Sequence, residues 1–239
     1  MPETLDDFLM TRPPTAERPL LGQTILVVED SRFACEALRM ICQRSGARIR
    51  RADSLRSARR HLRTYRPGII LVDLGLPDGS GLELIERLSD PNPAGTVIIA
   101  MSGDDSLAND ALRAGARAFI AKPINSVSAF QSAIIAELPK NARPTAVRPA
   151  VSDEVIPDRI ALRDDLALAA DLMLDAPDTH TITYLGQFLT GVAKSADDPR
   201  LQDAARSLHE TLLAAGDIGP ALSTVRKLVE DRLAREQPV

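Results

Sequence analysis

The sequence contains no tryptophan, and aromatic residues make up only 3% of its 239 residues. Base recognition by stacking on aromatic platforms is therefore not the expected chemistry. There are only two cysteines, Cys35 and Cys42. Seven residues apart on one helix, they would lie about 10 Å from each other, too far for a disulfide. Two reduced, packed thiols are expected. No run approaches the roughly 20 apolar residues of a membrane helix. Glu3, Asp6 and Asp7 stand where a secretory signal would be basic, so a cytoplasmic location is expected.

Basic charge is not in excess either. The formal net charge is −4, and it is unevenly spread. Residues 153–239 carry 9 basic and 16 acidic groups. An acidic C-terminal third argues against a DNA-binding output, which would neutralise phosphates with Lys and Arg. The opposite bias lies between Arg44 and Arg66, where nine arginines face one acid, Asp53. That stretch is either a solvated helix face or a docking patch for an acidic surface, such as the chain's own C-terminal domain.

Residues 1–20 hold four prolines and no sustained period, and read as a flexible N-terminal arm. From residue 21 the pattern alternates between short apolar runs and helical spacing. The runs 24–28, 69–72 and 96–101 are continuous and β-branched, as in buried strands of a parallel sheet. A weak strand is read at 47–51 and a further strand at 118–121. Helices are read at 32–45, 54–65, 81–88, 106–114 and 126–138. Five βα units predict an α/β fold, a doubly wound five-stranded parallel sheet over residues 21–138.

Residues 139–155 form a linker containing several prolines. Beyond it the period is purely helical, at 158–174, 179–195, 199–215 and 220–235. Ile182, Leu185, Leu189 and Val192 make one apolar stripe, and Asp198-Pro199 and Gly219-Pro220 read as N-cap–N1 pairs. An all-α helical bundle of four helices over residues 156–236 is the simplest packing.

The chemistry lies where the strands end. Glu29 and Asp30, Asp73, Ser102 and Lys122 all fall at C-terminal strand ends, the edge at which open parallel sheets bind ligands. Three carboxylates beside a hydroxyl and an ammonium suit a hard divalent cation and a phosphoryl group.

These residues, in this order, resemble the response-regulator receiver domain of two-component signalling, a flavodoxin-like fold. The resemblance spans residues 22–138. It rests on Val27-Val-Glu-Asp30, Leu71-Val-Asp-Leu-Gly-Leu-Pro-Asp-Gly-Ser-Gly81, Ala100-Met-Ser102, Ala114-Gly-Ala116 and Phe119-Ile-Ala-Lys-Pro123. The separations of 44, 29 and 20 residues between Glu29, Asp73, Ser102 and Lys122 suit the family, the last being slightly short.

The resemblance implies that Asp73 accepts a phosphoryl group from a histidine kinase or phosphotransfer protein. It implies Mg²⁺ held by Glu29, Asp30, Asp73 and the backbone carbonyl of Gly75. Lys122 would pair with the phosphoryl group or carboxylate. Ser102 and Phe119 would form the switch, and a cis peptide would precede Pro123. Catalysis would be limited to self-phosphorylation from a donor and slow self-dephosphorylation. Ser102 stands where threonine is more usual, and Gly75 opens the site. Asp104 places an acid near Ser102.

The C-terminal helices carry no basic recognition helix, no cyclic-dinucleotide signature and no Gly-x-Ser-x-Gly elbow. The favoured output is a binding or dimerisation bundle that couples the receiver to a downstream protein partner or a second copy. A histidine phosphotransfer-like relay through His209 or His180 is the alternative, as is a DNA-binding output of atypical fold. A haloacid-dehalogenase-type phosphatase is disfavoured, because its second acid would fall on Gly75.

Overall fold

The computed structural model describes residues 13–89, 95–148, 153–174 and 177–235. The arm's residues 1–12, residues 90–94 of the receiver segment, the linker's 149–152 and residues 175, 176 and 236 of the bundle fall outside the described residues.

Five parallel strands form the sheet: β1 Thr24–Val28, β2 Arg48–Ala52, β3 Ile69–Asp73, β4 Val97–Ser102 and β5 Ala118–Ala121. Their order is β2-β1-β3-β4-β5, doubly wound as expected. Helices α1 Arg32–Ser45, α2 Leu55–Thr64, α3 Gly81–Ser89, α4 Ala108–Arg113 and α5 Val127–Glu137 cover it. The side-chain period of two divides each central strand between two cores. Ile25, Val27, Ile69 and Leu71 join Leu38, Ile41 and Phe130 on one face. Leu26, Val28, Ile70 and Val72 join Leu55, Leu84 and Ile85 on the other. Burial on both faces is why these strands read as unbroken apolar runs. Cys35 and Cys42 are free and buried in α1, and burial pushes the Cys42 thiol up to about 12.

Local chemistry sets the boundaries. Ser31, Ser54 and Ser126 cap α1, α2 and α5 by accepting from the amides of Ala34, Ser57 and Ala129. Gly46 ends α1 in the left-handed region at φ 83°, where it hydrogen-bonds back to Cys42. The segment read as one helix over 106–114 is instead a 3₁₀ turn, Asp105–Leu107, followed by α4. Asp104 caps the turn by accepting from the Ser106 amide.

Four further helices follow: α6 Arg159–Leu172, α7 Thr179–Ser195, α8 Pro199–Leu213 and α9 Gly219–Arg235. Asp158, Asp178 and Asp198 cap the first three. The fourth starts at Gly219 rather than Pro220, with the Asp217 side chain accepting from the Gly219 amide at 3.0 Å. Leu185, Leu189, Val192, Ala205, Leu208, Val225 and Val229 fill the bundle's core.

Two segments read as loose are packed. Within the arm, Leu20 is fully buried in the α1 side of the core, and its amide donates to Ser45 O at 2.9 Å. Within the linker, Asp153 accepts from Ser126 Oγ at 2.6 Å and the Ser128 amide at 2.7 Å, and Val155 is buried between α1 and α5. Composition signalled chain that forms no regular element. It carried no information on the apolar anchors Leu20 and Val155 within that chain.

Candidate functional site

The register of the sheet assembles the site. Val28 pairs with Val72, so Glu29 and Asp73 each stand one step beyond the same rung. Asp73 pairs with Met101, which puts Ser102 one step further on. The Lys122 amide donates to Ser102 O at 2.8 Å, bringing the lysine in from the end of β5. The Lys122–Pro123 peptide is cis.

Glu29, Asp30 and Asp73 are buried, and their ligand oxygens lie within 4.8 Å of one another. The Lys122 ammonium sits 2.6 Å from Glu29 Oε2 and 2.9 Å from Asp73 Oδ1. Burial pushes all three carboxyls up. For Asp30 the neighbouring charge of Asp73 adds to this. Burial alone would depress the Lys122 ammonium, but Asp73 and Glu29 more than reverse it, and its pKa is raised. Asp30 Oδ1 is buried with no hydrogen-bond partner. Three converging carboxylates, one with an unsatisfied buried oxygen, fit a hard divalent cation.

Ser102 is buried beside the group and accepts from the Asp104 amide at 3.1 Å. Phe119 is half-buried against the core on the α2–α4 side of the sheet. The Asp104 carboxylate binds Ser106 and caps the 3₁₀ turn.

Residues 25–134 match the model of the response regulator receiver domain. This segment is a receiver domain. The KDP operon transcriptional regulatory protein KdpE of Escherichia coli is 30% identical over 127 residues, 53% of this chain and 56% of that protein. The chemotaxis protein CheY of Thermotoga maritima is 27% identical over 105 residues, 43% of this chain and 88% of that protein. Among solved structures, a CheY-like receiver domain protein from Methanospirillum hungatei is 26% identical with a TM-score of 0.43, covering 47% of this chain and 90% of that one. The chain spans about half the length of the first curated relatives it matches.

The strand-end edge that carries Asp73 is not open to solvent on all sides. Helix α7 lies across it. Tyr184, Gln187, Gly191 and Lys194 form one helical stripe, and each meets a receiver loop. The Tyr184 hydroxyl donates to Asp30 Oδ2 at 2.5 Å. Gln187 packs on Gly75, its Oε1 3.2 Å from where a Cβ would stand. Gly191 meets Gly103, and Lys194 Nζ donates to Gly103 O at 3.1 Å. From α6, Asp165 accepts from Ser31 Oγ at 2.7 Å and from the Arg32 and Phe33 amides at 2.8 and 3.0 Å. A cavity of about 620 Å³ remains between the domains, lined by Asp73, Lys122 and Ser102 on one side and Gln187, Arg206 and His209 on the other.

His209 thus shares a cavity with Asp73, and its Nδ1 is buried without a partner. His180 is exposed in the first turn of α7 and does not line that cavity. The arginine-rich stretch is not the main seat of the bundle, which covers α1 and the strand-end loops. Of that stretch, Arg51 reaches Asp30 O at 2.9 Å and Arg44 reaches Glu154 O at 3.0 Å. Sequence reasoning missed Tyr184, Gln187 and Asp165. The available signal was Gly191 inside α7, since glycine in a helix costs stability and here its Cα faces Gly103; Gly186 instead admits His209 of α8.

Proposed function

We propose that this chain is a response regulator in which Asp73 accepts a phosphoryl group from the phosphohistidine of a histidine kinase or phosphotransfer protein. An Asp73 oxygen bonds to phosphorus as the donor's P–N bond breaks. Glu29, Asp30, Asp73 and the Gly75 carbonyl would hold Mg²⁺, which neutralises the phosphoryl charge. Lys122 and Ser102 take the phosphoryl oxygens, and Ser102 and Phe119 carry the change outward. The observation that carries this reading is the buried carboxylate triad with Lys122 2.9 Å from Asp73.

The output is a change in the contact between receiver and bundle. Tyr184 and Asp165 bind the same loops that must rearrange around a new charge. Release of the acidic bundle would expose it to a protein partner or a second copy, and its charge disfavours DNA. Amide hydrogen exchange of full-length protein with Mg²⁺, with and without beryllofluoride, tests this. Faster exchange across Thr179–Ser195 is expected with the mimic. Unchanged exchange with the mimic bound would sink it.

One observation favours a second reading: His209 lines the cavity that contains Asp73. A relay from Asp73 to His209 predicts an acid-labile, base-stable phosphate on the wild type that is absent from the Asp73→Asn variant. His209→Gln should abolish it as well while leaving the base-labile phosphate of Asp73.

A further inference from the structure

The cation site and helix α7 make claims on the same carboxylate. Asp30 offers two carboxylate oxygens to the triad. Oδ2 accepts the Tyr184 hydroxyl, and Oδ1 is buried without a partner. Lys122 serves Glu29 and Asp73 directly, so Asp30 is the carboxylate whose donor comes from the bundle. A phenol pointing its proton at Oδ2 draws on the charge of the carboxylate whose free oxygen, Oδ1, a hard cation would take, with the positive end of the O–H dipole turned toward the incoming charge.

The phenol is not free to swing aside. Tyr184 is 7% exposed and stacks on Phe188 with ring centroids 5.4 Å apart. The rest of the stripe leaves little room for α7 to slide. A Cβ on Gly103 would stand 3.2 Å from Gly191 Cα, so the two backbones are in contact there. Lys194 ties the end of the stripe to Gly103 O and to Asp105 at 3.3 Å. Moving the Tyr184 hydroxyl off Asp30 therefore means lifting the helix.

We infer that Tyr184 is an affinity-determining residue of the cation site: its hydroxyl and a divalent cation compete for Asp30, so a seated α7 weakens cation binding and a bound cation unseats α7. The coupling is reciprocal, and the factor by which docking weakens the cation is the factor by which the cation weakens docking. The receiver would then be held poor in metal until the bundle moves. This inference rests on the proposed reading of Glu29, Asp30 and Asp73 as a cation site.

The test uses the full chain and Mn²⁺, whose free fraction is read by electron paramagnetic resonance. Tyr184→Phe keeps the ring and removes the hydroxyl, and is expected to bind Mn²⁺ about tenfold more tightly than the wild type, the scale of a hydrogen bond to a charged group. Gly103→Ala places a Cβ against Gly191 without touching Asp30, and is expected to tighten Mn²⁺ as well. A third readout needs no change at the site. The chain has two tyrosines and no tryptophan, so Tyr65→Phe leaves Tyr184 as the sole emitter. Its fluorescence, quenched by the carboxylate, should rise as Mg²⁺ fills the site.

Equal Mn²⁺ affinity in wild type and Tyr184→Phe would overturn the inference. So would Tyr184 emission that stays constant to Mg²⁺ saturation. Tightening in Tyr184→Phe without tightening in Gly103→Ala would overturn the link to α7 seating. Absence of Mn²⁺ binding in every variant would instead overturn the cation-site reading beneath it.

Discussion

Asp165 on α6 accepts a hydrogen bond from Ser31 Oγ at 2.7 Å across 134 residues of sequence. Its carboxylate also takes the Arg32 and Phe33 amides, so it closes the N-terminus of α1 immediately after the acid pair. A helix N-terminus favours an anion, and here the anion belongs to the other domain. Burial pushes the Asp165 carboxyl up, and the bonds from Ser31, Phe33 and Arg32 oppose this. Asp165→Ala should therefore cost about 1–3 kcal/mol, the desolvation cost of leaving these donors without an acceptor. Ser31 Oγ would still cap Ala34 at 3.0 Å, so α1 should survive. Urea unfolding gives the loss, and hydrogen exchange should show it concentrated in α6. Loss confined to α1 would count against the docking role.

Lys122 is the one ammonium among the buried carboxylates of the site, within 3 Å of both Glu29 and Asp73. Lys122→Ala leaves these charges with no compensating cation. Removing one partner of a buried pair costs about 3–5 kcal/mol, less whatever the carboxyls recover by taking up protons. Chemical denaturation at pH 7.5 should show a loss near the low end of that range. Added Mg²⁺ should restore part of it, because the cation replaces the missing charge. A variant as stable as the wild type without Mg²⁺ would contradict this charge balance.

The pH dependence follows with a definite sign. Burial raises Asp30 and Asp73 to about 7 in the folded protein. Unfolded aspartates titrate near 4. Between about 4 and about 7 the native state therefore holds more protons than the unfolded state, and stability falls as pH rises through that window. The carboxyls that folding lowers, such as Glu36 and Asp198, act in the opposite sense and only at more acid pH. Thermal melts of the metal-free protein should thus fall between pH 5 and pH 7. Asp73→Asn should flatten the slope by removing one of the two coupled charges. Mg²⁺ competes with these protons, so its stabilising shift should be larger at pH 7.5 than at pH 5. A metal-free stability that rises across the window would refute the assignment.

The five βα units and the strand-end positions of Glu29, Asp30, Asp73, Ser102 and Lys122 were legible because each buried strand is an apolar run that stops at a polar residue. The four C-terminal helices were legible for a similar reason, since one apolar stripe per helix announces a bundle. What stayed hidden was the seat of the bundle. In α7 the stripe Ile182, Leu185, Leu189 and Val192 explains the fold, and nothing in the helical period singles out the face that carries Tyr184, Gln187 and Lys194. Whether a polar helix face meets water or another domain depends on positions set by tertiary packing, which helical period does not encode. Leu20 and Val155 escaped for a related reason. Single apolar anchors in proline-containing chain have no period to detect.

Two glycines that look alike in sequence should respond in opposite ways. A Cβ on Gly81 would stand 2.0 Å from Asp73 O and 2.9 Å from Leu74 Cα, all of it backbone. The Gly81 amide also donates to Leu74 O at 3.1 Å, so α3 begins pressed against the strand that presents Asp73. Gly81→Ala cannot be absorbed by a side-chain rotation. It must displace either α3 or the Asp73 main chain, at about 3 kcal/mol or more. Phosphoryl uptake from a small donor such as acetyl phosphate should fall along with stability. A Cβ on Gly191, by contrast, meets nothing within 4 Å. Gly191 lies within α7, where alanine is favoured over glycine by about 1 kcal/mol. Gly191→Ala should therefore stabilise the bundle by up to that amount without opening the contact with Gly103. Urea unfolding of the two variants side by side checks both signs. A destabilised Gly191→Ala would mean that α7 sits closer to the receiver than the backbone separation at Gly103 implies.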